Sequence, residues 1–155
     1  MPPLSAPTDA PASVAAGTPA SVAGAQATVL FDGVCNLCNA SVLFVIDRDP
    51  RGYFRFAPLQ EAPAQALLRA HGAAVPPLSS VVLVEGGRVY TRSTAALRIA
   101  RRLTGAWRLL YLCLVVPRPI RDAVYDWVAR NRYRWFGRQD ACRVPTPELR
   151  QRFLT

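Results

Sequence analysis

Thr28-Val29-Leu30-Phe31-Asp32-Gly33-Val34-Cys35-Asn36-Leu37-Cys38 carries the decision about the fold. Thr28 to Phe31 is short, apolar and β-branched, and Asp32-Gly33 supplies the turn expected where a buried strand ends. From Cys35 to about Arg48 the apolar residues Leu37, Cys38, Val42, Val45 and Ile46 recur every three or four positions, with Pro50 and Gly52 beyond them. That spacing predicts a helix with a distinct stop. Two cysteines one helical turn apart therefore open a helix directly after the first strand.

Working outward, Tyr53-Phe54-Arg55-Phe56 reads as a second strand, and the Ala- and Leu-rich stretch Gln60 to Ala70 as a second helix ended by Gly72. Ser80 to Val84 and Arg88 to Thr91, joined through Glu85-Gly86-Gly87, read as a β-hairpin. Ser93 is the expected N-cap of a helix that lines up Ala96, Ile99, Ala100 and Leu103. Trp107 to Val116 is expected to be helical, with Cys113 in the core. After Pro117 and Pro119, Ile120 to about Asn131 forms a last helix with Ile120, Val124, Trp127 and Val128 turned inward. The order β-α-β-α-β-β-α is that of a thioredoxin-like α/β (α+β) domain, a mixed four-stranded sheet flanked by helices, here with additional C-terminal helices.

A dithiol enzyme needs a thiol that ionises readily, a second within bonding reach, and a backbone that presents the first. Cysteines three apart on a helix share one side of it. Cys35 takes the helix start, where unpaired N–H groups and the helix dipole favour a thiolate, so it is the expected nucleophile, open to solvent. Cys38, one turn inside and more shielded, is the expected resolving thiol. Asp32 stands three residues before Cys35, as a proton shuttle or as a local cap. Gly33, Val34, Asn36 and Leu37 flank the pair as substrate-facing positions, Gly33 allowing a tight turn. Pro77 precedes the third strand, where such folds often place a cis-proline that orients an extended substrate; a plain loop proline is the alternative.

Two other functions fit the same residues. A CxxC pair is also half of a zinc site, but the remaining candidates, His71, Cys113 and Cys142, form no second close pair. Neither metal nor cofactor is therefore expected beyond the Cys35/Cys38 disulfide itself. Cys142 reads as a tail thiol or as a site for disulfide transfer. A non-catalytic binding module is the other alternative, because residues 98–155 hold 13 Arg against Asp122, Asp126, Asp140 and Glu148, the whole of the net charge of +9. Such asymmetry suits nucleic acid, anionic lipid or an acidic protein. All 19 basic residues are Arg, beside abundant Ala and Pro, which marks a compositional habit as much as a surface. Arg and aromatic residues interleave from Arg130 to Arg138, but a helix end packed by its aromatics explains them without nucleic acid. An acidic partner for the Arg-rich segment is the remaining expectation.

The 155 residues, 51% of them hydrophobic, suffice for one core. Residues 1–27 hold one charge, Asp9, and no aromatic residue, so they are expected to be a flexible tail before a single domain over 28–155. The tail lacks Arg and Lys and is broken by Pro and Gly, unlike a secretory signal, so a cytoplasmic location is expected. The longest strongly apolar run, Leu109 to Val116, is eight residues, against about 20 for a membrane span.

The sequence resembles the DCC family of thiol-disulfide oxidoreductase-like proteins, named for an Asp-x-x-Cys-x-x-Cys pattern that is here Asp32 to Cys38. The resemblance continues through Phe54 to Gln60, Ser80 to Val84, Ser93 to Leu97, and Tyr125 to Gly137 with Cys142, and it spans Val29 to Phe153. It implies a thioredoxin-like fold with Cys35 and Cys38 as the redox pair and Asp32 as the third motif residue. The implied partners are a protein or small-molecule disulfide and an electron donor. Thr94 stands where the family frequently has Asp, so no acidic role carries over to that position.

Overall fold

The alternation of side chains along the first strand divides the core in two. In the computed structural model, which describes residues 26–76, 80–138 and 147–154, strand β1 spans Ala27–Phe31. Successive strand side chains point to opposite faces. Ala27, Val29 and Phe31 join one apolar cluster and Leu30 the other. Helix α1, Asn36–Asp47, buries Val42 and Val45 in the first cluster. Strand β2, Phe54–Pro58, then returns parallel to β1 with Val29 opposite Phe56. Helix α2, Ala62–Ala70, buries Ala64 and Leu68 in the second cluster, on the other face.

Strands β3, Val82–Glu85, and β4, Arg88–Thr91, form the expected hairpin. Gly86 at φ 58° and Gly87 at φ 74° make the two-residue turn, a left-handed pairing that suits the twist of the strands and favours glycine. β3 pairs antiparallel with β1, so the sheet order is β2-β1-β3-β4. Helix α3, Arg92–Arg102, places Ala95, Ile99 and the following Leu103 beside α1 in the first cluster. This mixed four-stranded sheet with helices on both faces is the thioredoxin-like α/β arrangement. The 3-10 helix Gly105–Val115 and helices α4, Arg118–Phe136, and α5, Pro147–Arg150, follow it.

Several local expectations need correction. Thr91 caps α3; Ser93 lies inside the helix, buried, and donates its hydroxyl to Asp122 Oδ1 at 2.5 Å. Cys113 is exposed on the 3-10 helix instead of core. Helix α4 begins before Pro119, which its first turn tolerates because that N–H needs no helical partner. Ile120, Val124 and Trp127 face outward, each more than half exposed, while Arg132 is buried. Val128, also expected inward, is half-buried, and the inner face of α4 carries polar groups as well, bonded to the rest of the domain: Asp122 to Ser93, the Tyr125 hydroxyl accepting the Val81 N–H at 2.8 Å, and Arg132 to Asp32. The first 25 residues of the expected tail, Pro77 and Cys142 lie outside the described residues.

The C-terminal residues cover the outer edge of β2. Phe56 donates its N–H to Arg152 O and accepts from Leu154 N–H, both at 2.9 Å. Such pairing removes an open sheet edge. Arg152 also reaches Asp49 Oδ2 at 2.5 Å, and that buried carboxylate accepts the N–H groups of Tyr53 and Phe54 as well. Replacing Arg152 with Ala strips the charged partner from Asp49, and we expect a loss of about 1–3 kcal/mol, read from urea denaturation. An unchanged midpoint and slope would show that this edge is not held by the ion pair.

Candidate functional site

The turn from β1 into α1 sets the site. Cys35 is the N-cap of α1, in extended backbone, and its Sγ accepts the Cys38 N–H at 3.3 Å. A cap atom that takes an otherwise orphaned helix N–H is where negative charge is best supported. Both sulfurs are unbonded thiols, so this is the reduced, dithiol form.

Access to the two sulfurs is the reverse of what the sequence predicts. Cys35 is 0% exposed, whereas Cys38 is partly exposed and lines a half-open cavity. The cause is the chain leaving α4, which turns back over the start of α1. Asn36 Nδ2 donates to Phe136 O at 2.9 Å, and Arg138 forms an isolated antiparallel bridge with Cys35. Gly137 makes the turn at φ 79°, and a Cβ there would lie 3.3 Å from Asn36 Nδ2, so both conformation and space favour glycine. No local pattern around Cys35 reports a covering segment that arrives from a hundred residues downstream.

Asp32 takes the local capping role, accepting the Val34 N–H, and is bonded to no sulfur among the described contacts. It lies wholly buried within a polar knot. Its Oδ1 accepts from Val34 N–H at 3.2 Å and from Gln60 Nε2 at 2.7 Å, and Gln60 Oε1 in turn accepts the Gly33 N–H at 3.1 Å. Its Oδ2 accepts from Arg132 Nη2 at 2.8 Å and from the Tyr133 hydroxyl. Gly33 is closed in by these bonds and by Asn39, whose amide donates to Gly33 O at 3.0 Å. Of the expected substrate-facing positions, Leu37 lines the cavity, Val34 is half-buried, and Asn36 is committed to α4.

Arg132 joins this knot to the chemistry. Its Nη1 donates to Cys38 Sγ at 3.4 Å while Nη2 holds Asp32. Burial pushes the Cys38 thiol up to about 12, with the hydrogen bond and charge of Cys35 adding to the rise and the Arg132 charge opposing it. Burial works to lower the Arg132 pKa, but Cys38, Cys35, Tyr133 and Asp32 outweigh it and hold the guanidinium charged. Burial and the bond to Asp32 push Tyr133 up, so it keeps the proton that it donates. Among the described residues, no cluster of three or more His, Cys, Asp or Glu forms a metal site, and no helix is long and apolar enough to cross a membrane.

The sequence reading missed Gln60, Arg132 and Tyr133. A signal exists for Arg132, because Asp122, Tyr125, Ala129 and Arg132 follow one another at helical spacing. The apolar residues of α4 hide it by suggesting the opposite face.

The Asp32–Arg132 pair is nearly free of solvent, with side chains 0% and 6% exposed. Changing Arg132 to Met strands a buried carboxylate, and we expect a loss of about 3–5 kcal/mol in chemical denaturation. Pairing it with Asp32→Asn should restore part of that loss, and simple additivity of the two changes would show that the charges are not coupled.

Residues 29–138 match the model of a family described as DCC1-like thiol-disulfide oxidoreductase. The chain is 49% identical over 126 residues to a Bacillus subtilis (strain 168) protein named "Uncharacterized protein YuxK", covering 81% of this chain and 92% of that one. It is 44% identical over 117 residues to the Arabidopsis thaliana "DCC family protein At1g52590, chloroplastic", covering 75% of this chain and 68% of that protein. No solved structure matches it. With the strand, the helix-opening thiol pair and the buried aspartate in place, the chain belongs to the DCC1-like thiol-disulfide oxidoreductase family.

Proposed function

We propose that this chain reduces a disulfide of a protein or small molecule through the Cys35/Cys38 dithiol, in a reducing compartment such as the cytoplasm. The observation that carries the reading is the thiol pair at the first turn of α1, with the Cys38 N–H on Cys35 Sγ and the Arg132 guanidinium 3.4 Å from Cys38 Sγ. Access supports Cys38 as the sulfur that meets the substrate, because Cys35 is covered. Position supports Cys35 as its partner in closing the ring.

The Cys38 sulfur attacks one sulfur of the substrate disulfide. That S–S bond breaks, a mixed disulfide forms, and the departing thiolate takes up the Cys38 proton. The leaving sulfur is therefore the proton's acceptor, and Cys35 keeps its own proton until the second step. Arg132 steadies the sulfur while it is anionic. Cys35 then attacks the Cys38 sulfur, the second thiol leaves with the remaining proton, and the protein holds the disulfide. Two electrons pass to the substrate, and an external thiol donor returns them. Asp32 acts here through Arg132, as a positioning group.

Cys38→Ser should abolish disulfide reduction, and Cys35→Ser should stop turnover while trapping the substrate on Cys38 as a mixed disulfide visible by mass spectrometry. If neither change alters reduction or trapping, the oxidoreductase reading fails.

The pH dependence has a definite sign. Far below a pKa of about 12 the thiolate fraction rises in proportion to hydroxide. Iodoacetamide labelling of Cys38 should therefore accelerate about tenfold per pH unit from about pH 7 to about pH 10. Arg132→Gln, which removes the charge that lowers the pKa, should slow labelling further at each pH. A rate that levels off near neutral pH would contradict the control by burial.

A further inference from the structure

Cys38 opens into a half-open cavity of about 330 Å³ bordered by α1, α3, the 3-10 helix and α4 against the sheet. Its walls are almost wholly apolar, with Trp107 and Leu110 on its outer side, each 42% exposed. The Trp107 ring is anchored there edge-on to Phe44, with centroids 4.8 Å apart. Cys38, Arg132 and Asp32 also line it, and Cys35 does not. The volume matches a ligand of about a dozen non-hydrogen atoms, near the lower end of ordinary small-molecule sites.

From these walls we propose that the substrate is a small apolar disulfide, bearing an alkyl or aryl arm, that enters this cavity with its sulfur pair at Cys38. The inference rests on the oxidoreductase reading above and names its substrate class. The chemistry of the walls selects the arm. Apolar surface on the ligand gains by leaving water. A carboxylate or ammonium group would lose hydration, and the cavity gives it nothing in return. The Arg132 charge is already balanced by Asp32, and the Tyr125 hydroxyl holds the Val81 N–H. A cavity of about 330 Å³ takes a small arm and gives a folded protein no such gain. In the reaction the substrate S–S bond is exchanged for the Cys35–Cys38 bond. The substrate leaves as two thiols, or as one dithiol if it is cyclic, with the two protons of the original pair.

The test compares three disulfides with the reduced full-length protein: lipoamide as the apolar probe, glutathione disulfide as the charged one, and insulin as the protein one. Lipoamide should exceed glutathione disulfide in kcat/KM by about 100-fold, the preference that burial of a short alkyl arm supplies. Ala96 and Ala129 line the cavity from α3 and α4. Ala96→Phe and, separately, Ala129→Phe should fill it and lower the lipoamide-to-glutathione ratio about tenfold or more. Using two helices guards against one variant failing to fold, which circular dichroism would reveal. Glutathione disulfide or insulin reduced as fast as lipoamide, or a ratio unmoved in folded variants, would overturn the substrate class and leave the oxidoreductase reading standing. No reduction of any of the three would overturn both.

Discussion

The contact on which this structure turns is the buried pair between Asp32 and Arg132, one hundred residues apart in sequence. Each group is costly to bury alone, and the two are tolerable together only because further partners satisfy them. Asp32 has Val34 N–H, the Gln60 amide and the Tyr133 hydroxyl besides Arg132. The pair therefore fixes more than a distance. It selects one rotation of α4 about its axis, the one that also brings Asp122 to Ser93 and Tyr125 to Val81. A helix docked by apolar packing alone could slide or turn at modest cost. One docked by three separate polar contacts, one of them a desolvated ion pair, has a single register.

That choice explains the outward face of α4. Once Asp122, Tyr125 and Arg132 point inward, helical geometry sends Ile120, Val124 and Trp127 outward. The same rotation puts Ala129 against the cavity and carries the end of the helix over Cys35. The shape of the site, its apolar wall and the burial of its first sulfur thus share one cause.

The core of the fold was legible because it obeys simple periodicities. Alternation in Val29, Leu30 and Phe31, three- and four-residue spacing in Val42 and Val45, and Gly86-Gly87 between two β-branched runs each fix a local structure, and the structure contains all of them. The thiol pair was legible for the same reason, since the start of α1 follows from local pattern alone. What failed was the inward placing of Ile120, Val124 and Trp127 on α4 and of Cys113. The rule that apolar residues turn inward holds where an element packs on a hydrophobic core, and α4 packs partly on a polar site. The reversed access of Cys35 and Cys38 has another origin, the distant segment that covers Cys35. Gln60 gave no local sign of its role: it lies within the connection between β2 and α2, and only the nearness of Asp32 gives its amide a purpose.

The two thiols show how one turn of helix can separate the tasks of a dithiol. Cys35 has the better electrostatic position, at the cap with a helix N–H on its sulfur, and no room for a substrate. Cys38 has the room, and burial holds its proton on more tightly than Arg132 can loosen it. A freely ionised thiol at Cys38 would attack any disulfide that diffused past. A thiol that is slow by itself reacts well only with a substrate held against it long enough for the proton to move. Proximity can supply such acceleration, since a bound reactant behaves as though present at very high concentration. The raised pKa of Cys38 and the cavity at its side are therefore complementary. Under the proposed mechanism, reactivity is withheld from solution and granted to what the apolar walls retain.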